Sequence, residues 1–191
     1  MATDQGKTLL SIARAAIAQV LHAPHAAANE SAAWLAEPGA SFITLTQSGE
    51  LRGCIGTLQA HRPLLIDVKS NAVSAALHDP RFLPLTLKEF ITVQVEVSLL
   101  TAPQPLAFAD ETDALAQLRP GLDGVVFEYG RHRSTFLPQV WESLAQPPLF
   151  LAMLKRKAGL PDNFWAENVK LSRYTVTKWR ETDLDEESCN G

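Results

Sequence analysis

The returning arm of a predicted β-hairpin contains glycine at positions where a strand normally carries packing side chains. A strand-like run and a Ser-Gly-Glu turn precede residues 51–56, which read LRGCIG. Glycine weakens a strand interior, so Gly53 and Gly56 indicate a bulge or a close approach of another group to the backbone. Cys54 lies between them, and Arg52 shares its face if the strand is regular. The pattern therefore predicts backbone access, a soft nucleophile and a positive charge at one place.

The composition limits the classes of protein that this chain can belong to. Its 191 residues are 46% hydrophobic and 20% charged, which suits one domain, or one domain with a smaller lobe. The net charge of −4 disfavours nucleic-acid binding, which usually needs a basic patch. Two short basic runs, residues 131–133 and 155–157, are explained more simply by a solvated loop and a helix C-terminus. A regulatory nucleic-acid-binding role is therefore the weakest functional alternative.

The cysteines and the N-terminus indicate the compartment. Cys54 and Cys189 are the only two cysteines, which is too few for a disulfide framework. Residues 1–7 lack the charged and apolar regions of a signal peptide, and no apolar run is long enough to span a bilayer. We therefore expect a reduced, cytoplasmic protein that makes no use of a membrane.

The predicted elements mix helices and hairpins without a regular β-α-β alternation. This order predicts an α+β fold with a mixed or antiparallel central sheet, flanked by helices and divided into a larger and a smaller lobe. Residues 1–180 are expected to form a single domain, followed by an acidic, disordered tail at 181–191. Helices are predicted at residues 7–21, 63–78, 111–118 and 147–158, hairpins at 41–58 and 125–137, and single strands at 90–100 and 169–178.

The hexapeptide also carries a family resemblance. Residues 51–56 match the signature hexapeptide of the AMMECR domain family, and the resemblance extends from the first helix to about Arg180. It implies a protein similar to the A component of bacterial AmmeMemoRadiSam gene sets, with a radical-SAM protein and a Memo-like protein as partners. Further blocks follow in the order of the family: Asp79-Pro80-Arg81-Phe82, residues 96–100, residues 136–140, and Lys157-Ala158-Gly159 followed by Trp165.

Cys54 and Glu96 are the candidate catalytic residues. A free cysteine is often only a small buried hydrophobe, but Cys54 could also be a thiolate nucleophile, a redox thiol or a metal ligand, activated by Arg52. Glu96 lies on the polar side of an alternating strand, where it is either solvated or an acid/base group in a cleft. The resemblance places a glutamate at this position of the family block and favours the second interpretation. No second cysteine lies nearby and no cofactor motif is present, so neither a metal nor a cofactor is predicted.

Residues around these two are candidates for ligand binding. Arg52 and Arg81 could hold an anionic group, although Asp79 and Arg81 could equally form a local ion pair that stops a helix and contributes little if exposed. Asn71 and His78 lie about two helical turns apart on one side of the second helix. Arg52, Asp79 and Arg81 are expected to cluster with Cys54 and Glu96, whereas Asn71 could bond a ligand or merely the loop. The predicted binding residues are Arg52, Gly53, Gly56, Asn71, His78, Asp79 and Arg81.

These residues leave two functions from different classes open. In the first, the chain is an enzyme, or the substrate-handling half of one, that acts on a small-molecule ligand or a protein segment. In the second, it is a binding or adaptor module, and the chemistry belongs to the radical-SAM or Memo-like partner. A cysteine hydrolase needs a base within hydrogen-bond reach of the thiol. The position of the Cys54 sulfur therefore discriminates between the two.

Overall fold

The computed structural model, which describes residues 2–183, contains two four-stranded sheets with helices packed on them. The described residues divide into two compact units: 2–100 together with 177–183, and Thr101–Val176. Each sheet lies in one unit, and the larger unit carries the hexapeptide. The predicted α+β fold, with a larger and a smaller lobe, is therefore confirmed.

The helices and strands are numbered in chain order. The helices are α1 (Ala2–Val20), α2 (Leu64–Leu77), α3 (Leu87–Phe90), α4 (Glu111–Gln117) and α5 (Pro147–Lys157), with 3-10 turns at Ala33–Ala36 and Pro138–Glu142. The strands are β1 (Ala40–Gln47), β2 (Glu50–Gly56), β3 (Gln94–Leu100), β4 (Gln104–Pro105), β5 (Gly124–Tyr129), β6 (His132–Phe136), β7 (Lys170–Tyr174) and β8 (Val176–Arg180). The strand order is β2-β1-β3-β8 in the larger unit and β4-β7-β5-β6 in the smaller one.

The core of the larger unit lies between one face of its sheet and the helices α1 and α2. Alternate residues of β1 and β3 point into this core, and the apolar stripe of α1 meets them. Burying one such aliphatic side chain contributes about 1.5–3 kcal/mol. The other face of the sheet carries the intervening, more polar residues. Buried members of the core are Leu9, Ile12, Ile17, Ile43, Leu45, Val68, Val95 and Val97.

The strand predicted at residues 90–100 begins later than expected. Residues 87–90 form α3, and β3 starts at Gln94. The cause is a capping box: the Thr86 side chain accepts a hydrogen bond from the Glu89 backbone, and the Glu89 carboxylate accepts one from the Thr86 backbone. The Thr-x-x-Glu spacing was the sequence signal for this helix start.

The strand predicted at residues 169–178 is two strands. β7 belongs to the sheet of the smaller unit, and β8 belongs to the sheet of the larger unit. They are separated at Thr175, whose backbone N–H donates to the Thr101 side chain, while the Thr101 backbone N–H donates to the Thr175 carbonyl. A run of strand-forming residues does not reveal a change of sheet, because both halves have the same local preference.

The smaller unit is built around the predicted second hairpin. β5 and β6 turn at Gly130, whose φ of +54° is one that glycine adopts readily. The ring of Phe150 on α5 stacks against Trp141, with 3.7 Å between the ring centroids. Gly159 ends α5 with a φ of +80°, as a helix C-terminus of this kind requires.

Glu181, the first residue after β8, is bonded to the larger unit. The Glu181 carboxylate, at the start of the predicted tail, accepts hydrogen bonds from the Arg14 side chain and from the Val95 backbone. Glu181 therefore belongs to the larger unit, whereas residues 184–191 lie outside the described residues. Among the helices of residues 2–183, none combines the length and the apolarity that crossing a membrane requires.

Candidate functional site

A row of polar side chains crosses the larger unit's sheet on the face opposite α1 and α2. Cys54 on β2 lies opposite Thr44 on β1, and Thr44 lies opposite Glu96 on β3. Directly opposed residues share a face, so the three side chains lie on the same side of the sheet. Neighbouring strands are about 4.8 Å apart, which puts the backbones of β2 and β3 about 10 Å from each other. Thr44 therefore separates the thiol from the carboxylate.

The Cys54 thiol is half-buried and unpaired with another cysteine. The Thr44 hydroxyl donates to Sγ over 3.4 Å. No histidine or carboxylate within residues 2–183 bonds to the thiol. The Arg81 guanidinium lies near enough that attraction to Cys54 contributes, after Asp79, to a raised pKa of Arg81. The exposure of the thiol is therefore intermediate between that of a buried core cysteine and that of an open, reactive one.

Asp79 and Arg81 hold the backbone of Cys54. The Cys54 N–H donates to Asp79 Oδ2 over 2.8 Å, and Arg81 Nη2 donates to the Cys54 carbonyl over 3.2 Å. The Arg81 guanidinium also donates to both oxygens of Asp79, over 3.0 and 2.7 Å. Hydrogen bonds from Arg81, and then from the Cys54 backbone, outweigh burial and hold the pKa of Asp79 well below its usual range. The ion pair therefore connects the end of α2 to β2.

The space beside two glycines of the hexapeptide, Gly53 and Gly56, is occupied by other parts of the protein. A Cβ on Gly53 would lie 2.2 Å from the carbonyl oxygen of Ala75 in α2, and a Cβ on Gly56 would lie 2.2 Å from the Phe42 ring. The sequence correctly indicated a close approach at these positions, but α2 and Phe42 make it. The space in which a side chain would stand at Gly53 or Gly56 is therefore taken by the protein itself.

Arg52 is directed to Glu89. The register of β1 and β2 shifts between Leu45 and Thr46, which leaves Arg52 as the extra residue of a β-bulge. Its guanidinium donates to both Glu89 oxygens, over 2.9 and 3.2 Å. Arg52, followed by Thr86, lowers the pKa of Glu89 to about 2. The assumption of a regular strand, on which Arg52 would face Cys54, is therefore wrong.

Glu96 is paired with β8. Its carboxylate accepts a 2.6 Å hydrogen bond from Arg180, and Lys178 Nζ lies 3.9 Å away. The Glu96 side chain is 15% exposed and that of Arg180 is 59% exposed. The hydrogen bond with Glu96 is also the main cause of a raised pKa of Arg180. The carboxylate thus balances charges at the β3–β8 border and does not bond to the thiol.

Asn71 and His78 do not share a site. Asn71 is 4% exposed and its side-chain amide donates to the Ser41 carbonyl and to Asp67, in a buried polar network beside β1. Asp67 is fully buried and also accepts from the Ser41, Thr57 and Arg62 side chains. His78 is exposed at the end of α2, and its ring forms no hydrogen bond in the described part of the chain. Asn71 is therefore a structural residue.

Sequence reasoning did not find three residues that contact the predicted ones. Thr44 could have been found by pairing the hairpin strands, and Glu89 by its capping box. Arg180 had no local signal, because its contact with Glu96 depends on the pairing of distant strands. No group of three or more histidine, cysteine, aspartate or glutamate side chains within the described residues is arranged to hold a metal ion.

The comparisons with known proteins agree with this fold. Residues 10–179 match the AMMECR1 family, and the chain belongs to that family. Protein MJ0810 of Methanocaldococcus jannaschii is 40% identical over 140 residues, which are 70% of this chain and 68% of that protein. A protein of Methanothermobacter thermautotrophicus is 35% identical over 187 residues, covering 95% of this chain and 96% of its own.

A solved structure extends the similarity to the backbone. The crystal structure of the uncharacterized protein PH0010 from Pyrococcus horikoshii has a TM-score of 0.76 at 31% sequence identity, and the match covers 93% of this chain and 92% of that one. None of these names states a biochemical activity. Membership of the family therefore establishes the fold, and any function has to be argued from the site.

Proposed function

We propose that the protein is the binding component of a modification system, in which the face that carries Cys54 recognises a partner protein or small substrate and an associated protein performs the chemistry. One observation carries this proposal. The candidate acid and basic groups around the thiol are engaged with each other: Glu96 with Arg180, Asp79 with Arg81, and Arg52 with Glu89.

A self-sufficient thiol enzyme needs more than this arrangement offers. A nucleophilic cysteine is activated by a base within hydrogen-bond reach, or by a nearby positive charge. The group that bonds to the Cys54 sulfur is the hydroxyl of Thr44, which donates and is no base at neutral pH. Glu96 lies two strands away and already has a charge partner. The positive charge near the thiol is that of Arg81, and the Asp79 carboxylate, 2.7 Å from the guanidinium, offsets it. These contacts favour recognition over catalysis by this chain alone.

The proposed partners follow from the resemblance to the A component of AmmeMemoRadiSam gene sets. We propose that a radical-SAM protein or a Memo-like protein docks on the face that carries Cys54. Arg81 and Arg180 suit such a role because both are more than half exposed. Such an assembly would work in the reducing cytoplasm, where Cys54 stays a free thiol.

A second candidate function is thiol chemistry at Cys54 in the assembled system. It is favoured by the partial exposure of Cys54 and by the hydroxyl hydrogen bond, which stabilises negative charge on sulfur. In this case a base from the partner protein, or from the substrate, would complete the site.

Titration calorimetry with purified radical-SAM and Memo-like proteins of the same system tests the proposal. We expect saturable binding of one partner by the wild type, retained binding by Cys54→Ser and binding at least tenfold weaker for Arg81→Ala and Arg180→Ala. Arg133→Ala, on the smaller unit, is the matched control and should bind like the wild type. Absence of binding to either protein would overturn the adaptor function. Loss of turnover by Cys54→Ser with binding intact would favour the second candidate.

A further inference from the structure

The larger unit contains a cavity that none of the predicted site residues lines. Its volume is about 530 Å³, within the range of small-molecule sites. One wall is a face of α1, the opposite wall is the segment that follows α1, and the turn between α3 and β3 closes the end. All of these residues belong to the larger unit.

Arg14 fixes the floor of this cavity. Its guanidinium donates to the carbonyl oxygens of Phe90 and Val93, over 3.2 and 2.6 Å, and to Glu181 over 2.6 Å. It also lies over the Phe90 ring, 4.9 Å from the centroid. One side chain thus joins α1, the turn before β3 and the segment after β8. A floor that is already ordered reduces the entropy cost of binding a ligand.

The residues that line the cavity carry a net positive charge. The charges of Arg14 and Glu181 offset each other at the floor, which leaves Lys7 as the excess charge among the lining residues. Lys7 is exposed and forms no ion pair within residues 2–183. His25 lines the other side, and its Nδ1 lies 3.0 Å from the Ala23 carbonyl, which orients the ring and leaves Nε2 available.

The remaining walls are largely apolar. Leu10 and Val93 are buried residues of the cavity wall. Ala15 lines the cavity from α1, and Ala26 lines it from the segment that follows α1. Ile91 is 77% exposed at its edge and offers apolar area to a ligand.

We propose that this cavity binds a small organic anion with an apolar body, whose acidic group lies at Lys7 and His25 and whose hydrocarbon part packs between Ala15, Ala26 and Ile91. The site does not involve Cys54, and the inference does not depend on the proposed function. Carboxylate, phosphate and sulfonate head groups share the chemistry that Lys7 and His25 recognise.

Amide-detected NMR titrations with sodium octanoate test the inference, with 1-octanol as a ligand of similar body and no charge. We expect saturable shifts at the amides of α1 and residues 90–94, and a dissociation constant at least fivefold higher for octanol. Lys7→Ala should remove this preference. Lys88→Ala, an exposed lysine outside the cavity, should behave like the wild type.

A steric variant provides the second arm. Ser11 and Ala26 are exposed on opposite walls, so Ser11→Phe and Ala26→Phe should block the cavity without disturbing the core. Either variant that keeps a dispersed spectrum should lose octanoate binding. Shifts that do not saturate, equal binding of octanol, or undiminished binding in a folded blocking variant would each overturn the inference.

Discussion

Replacing Asp79 with alanine tests how β2 is held to the end of α2. The Asp79 side chain is 2% exposed and accepts four hydrogen bonds, from the Cys54 and Arg81 backbones and twice from the Arg81 guanidinium. Leaving a buried N–H without its acceptor costs about 1–3 kcal/mol. The ion pair adds at most about 1 kcal/mol, because the Arg81 side chain is 53% exposed. We therefore expect Asp79→Ala to lower the free energy of unfolding by about 1–4 kcal/mol.

Urea denaturation followed by circular dichroism measures this loss. Arg81→Ala is the matched control. It removes the ion pair and the hydrogen bond to the Cys54 carbonyl but leaves the bond from the Cys54 N–H to Asp79, so it should cost less than Asp79→Ala. A loss below about 0.5 kcal/mol for Asp79→Ala at pH 7 would refute the reasoning, since surface substitutions have effects of that size.

The pH dependence of the stability of Asp79→Ala tests whether the ionised Asp79 carboxylate stabilises the fold. The pKa of Asp79 in the folded protein lies below its ordinary value of 3.8, so its stabilisation is complete above that value and is lost as pH falls towards the folded-state pKa. The stability difference between the wild type and Asp79→Ala should therefore narrow below about pH 4. A stability difference that stays constant down to pH 2 would contradict the lowered pKa of Asp79.

Three further predictions concern the neighbouring contacts. Gly53→Ala places a Cβ against the Ala75 backbone oxygen and should cost about 1–3 kcal/mol or more in urea denaturation, whereas a neutral result would mean that α2 moves freely. Glu89→Gln should remove a stabilisation that is present above pH 4.5 and lost towards pH 2, so its stability curve should be flatter than that of the wild type in this range. Glu96→Gln should change the free energy of unfolding by less than about 1 kcal/mol, because Arg180 is mostly exposed, and a larger loss would show that the pair is structural.

Local patterns predicted most of the elements of the larger unit. The alternation of apolar and polar residues identified β3, and the turn residues identified the first hairpin. Errors arose where a different local signal was decisive, as in the Thr86–Glu89 capping box that makes residues 87–90 helical. The division of residues 169–178 between two sheets depends on tertiary pairing, which no local preference encodes.

The candidate site was predictable only in part. The order of the strands in the sheet and the β-bulge in β2 decide which side chains contact each other, and neither follows from the local sequence. Alternation placed Glu96 on the polar side of β3, and pairing of the hairpin strands places Cys54 in the same row. No sequence signal indicated the bulge at Arg52 or the position of β8 beside β3. The contacts of Arg52 with Glu89 and of Glu96 with Arg180 were therefore not predicted. Asn71 was misjudged because the face of a helix that packs on a sheet can also bury polar groups that bond to one another.

The reactivity of Cys54 tests the central claim most directly. In a Cys189→Ser background the rate of alkylation by iodoacetamide at pH 7 reports on Cys54 alone. The Cys54 thiol is half-buried, is bonded by Thr44 and has no base beside it, and the charge of nearby Arg81 is offset by Asp79. It should therefore react no faster than free cysteine under the same conditions, and Glu96→Gln should leave the rate unchanged. A rate above that of free cysteine, reduced by Glu96→Gln, would contradict a recognition role and show that the chain carries its own catalytic thiol.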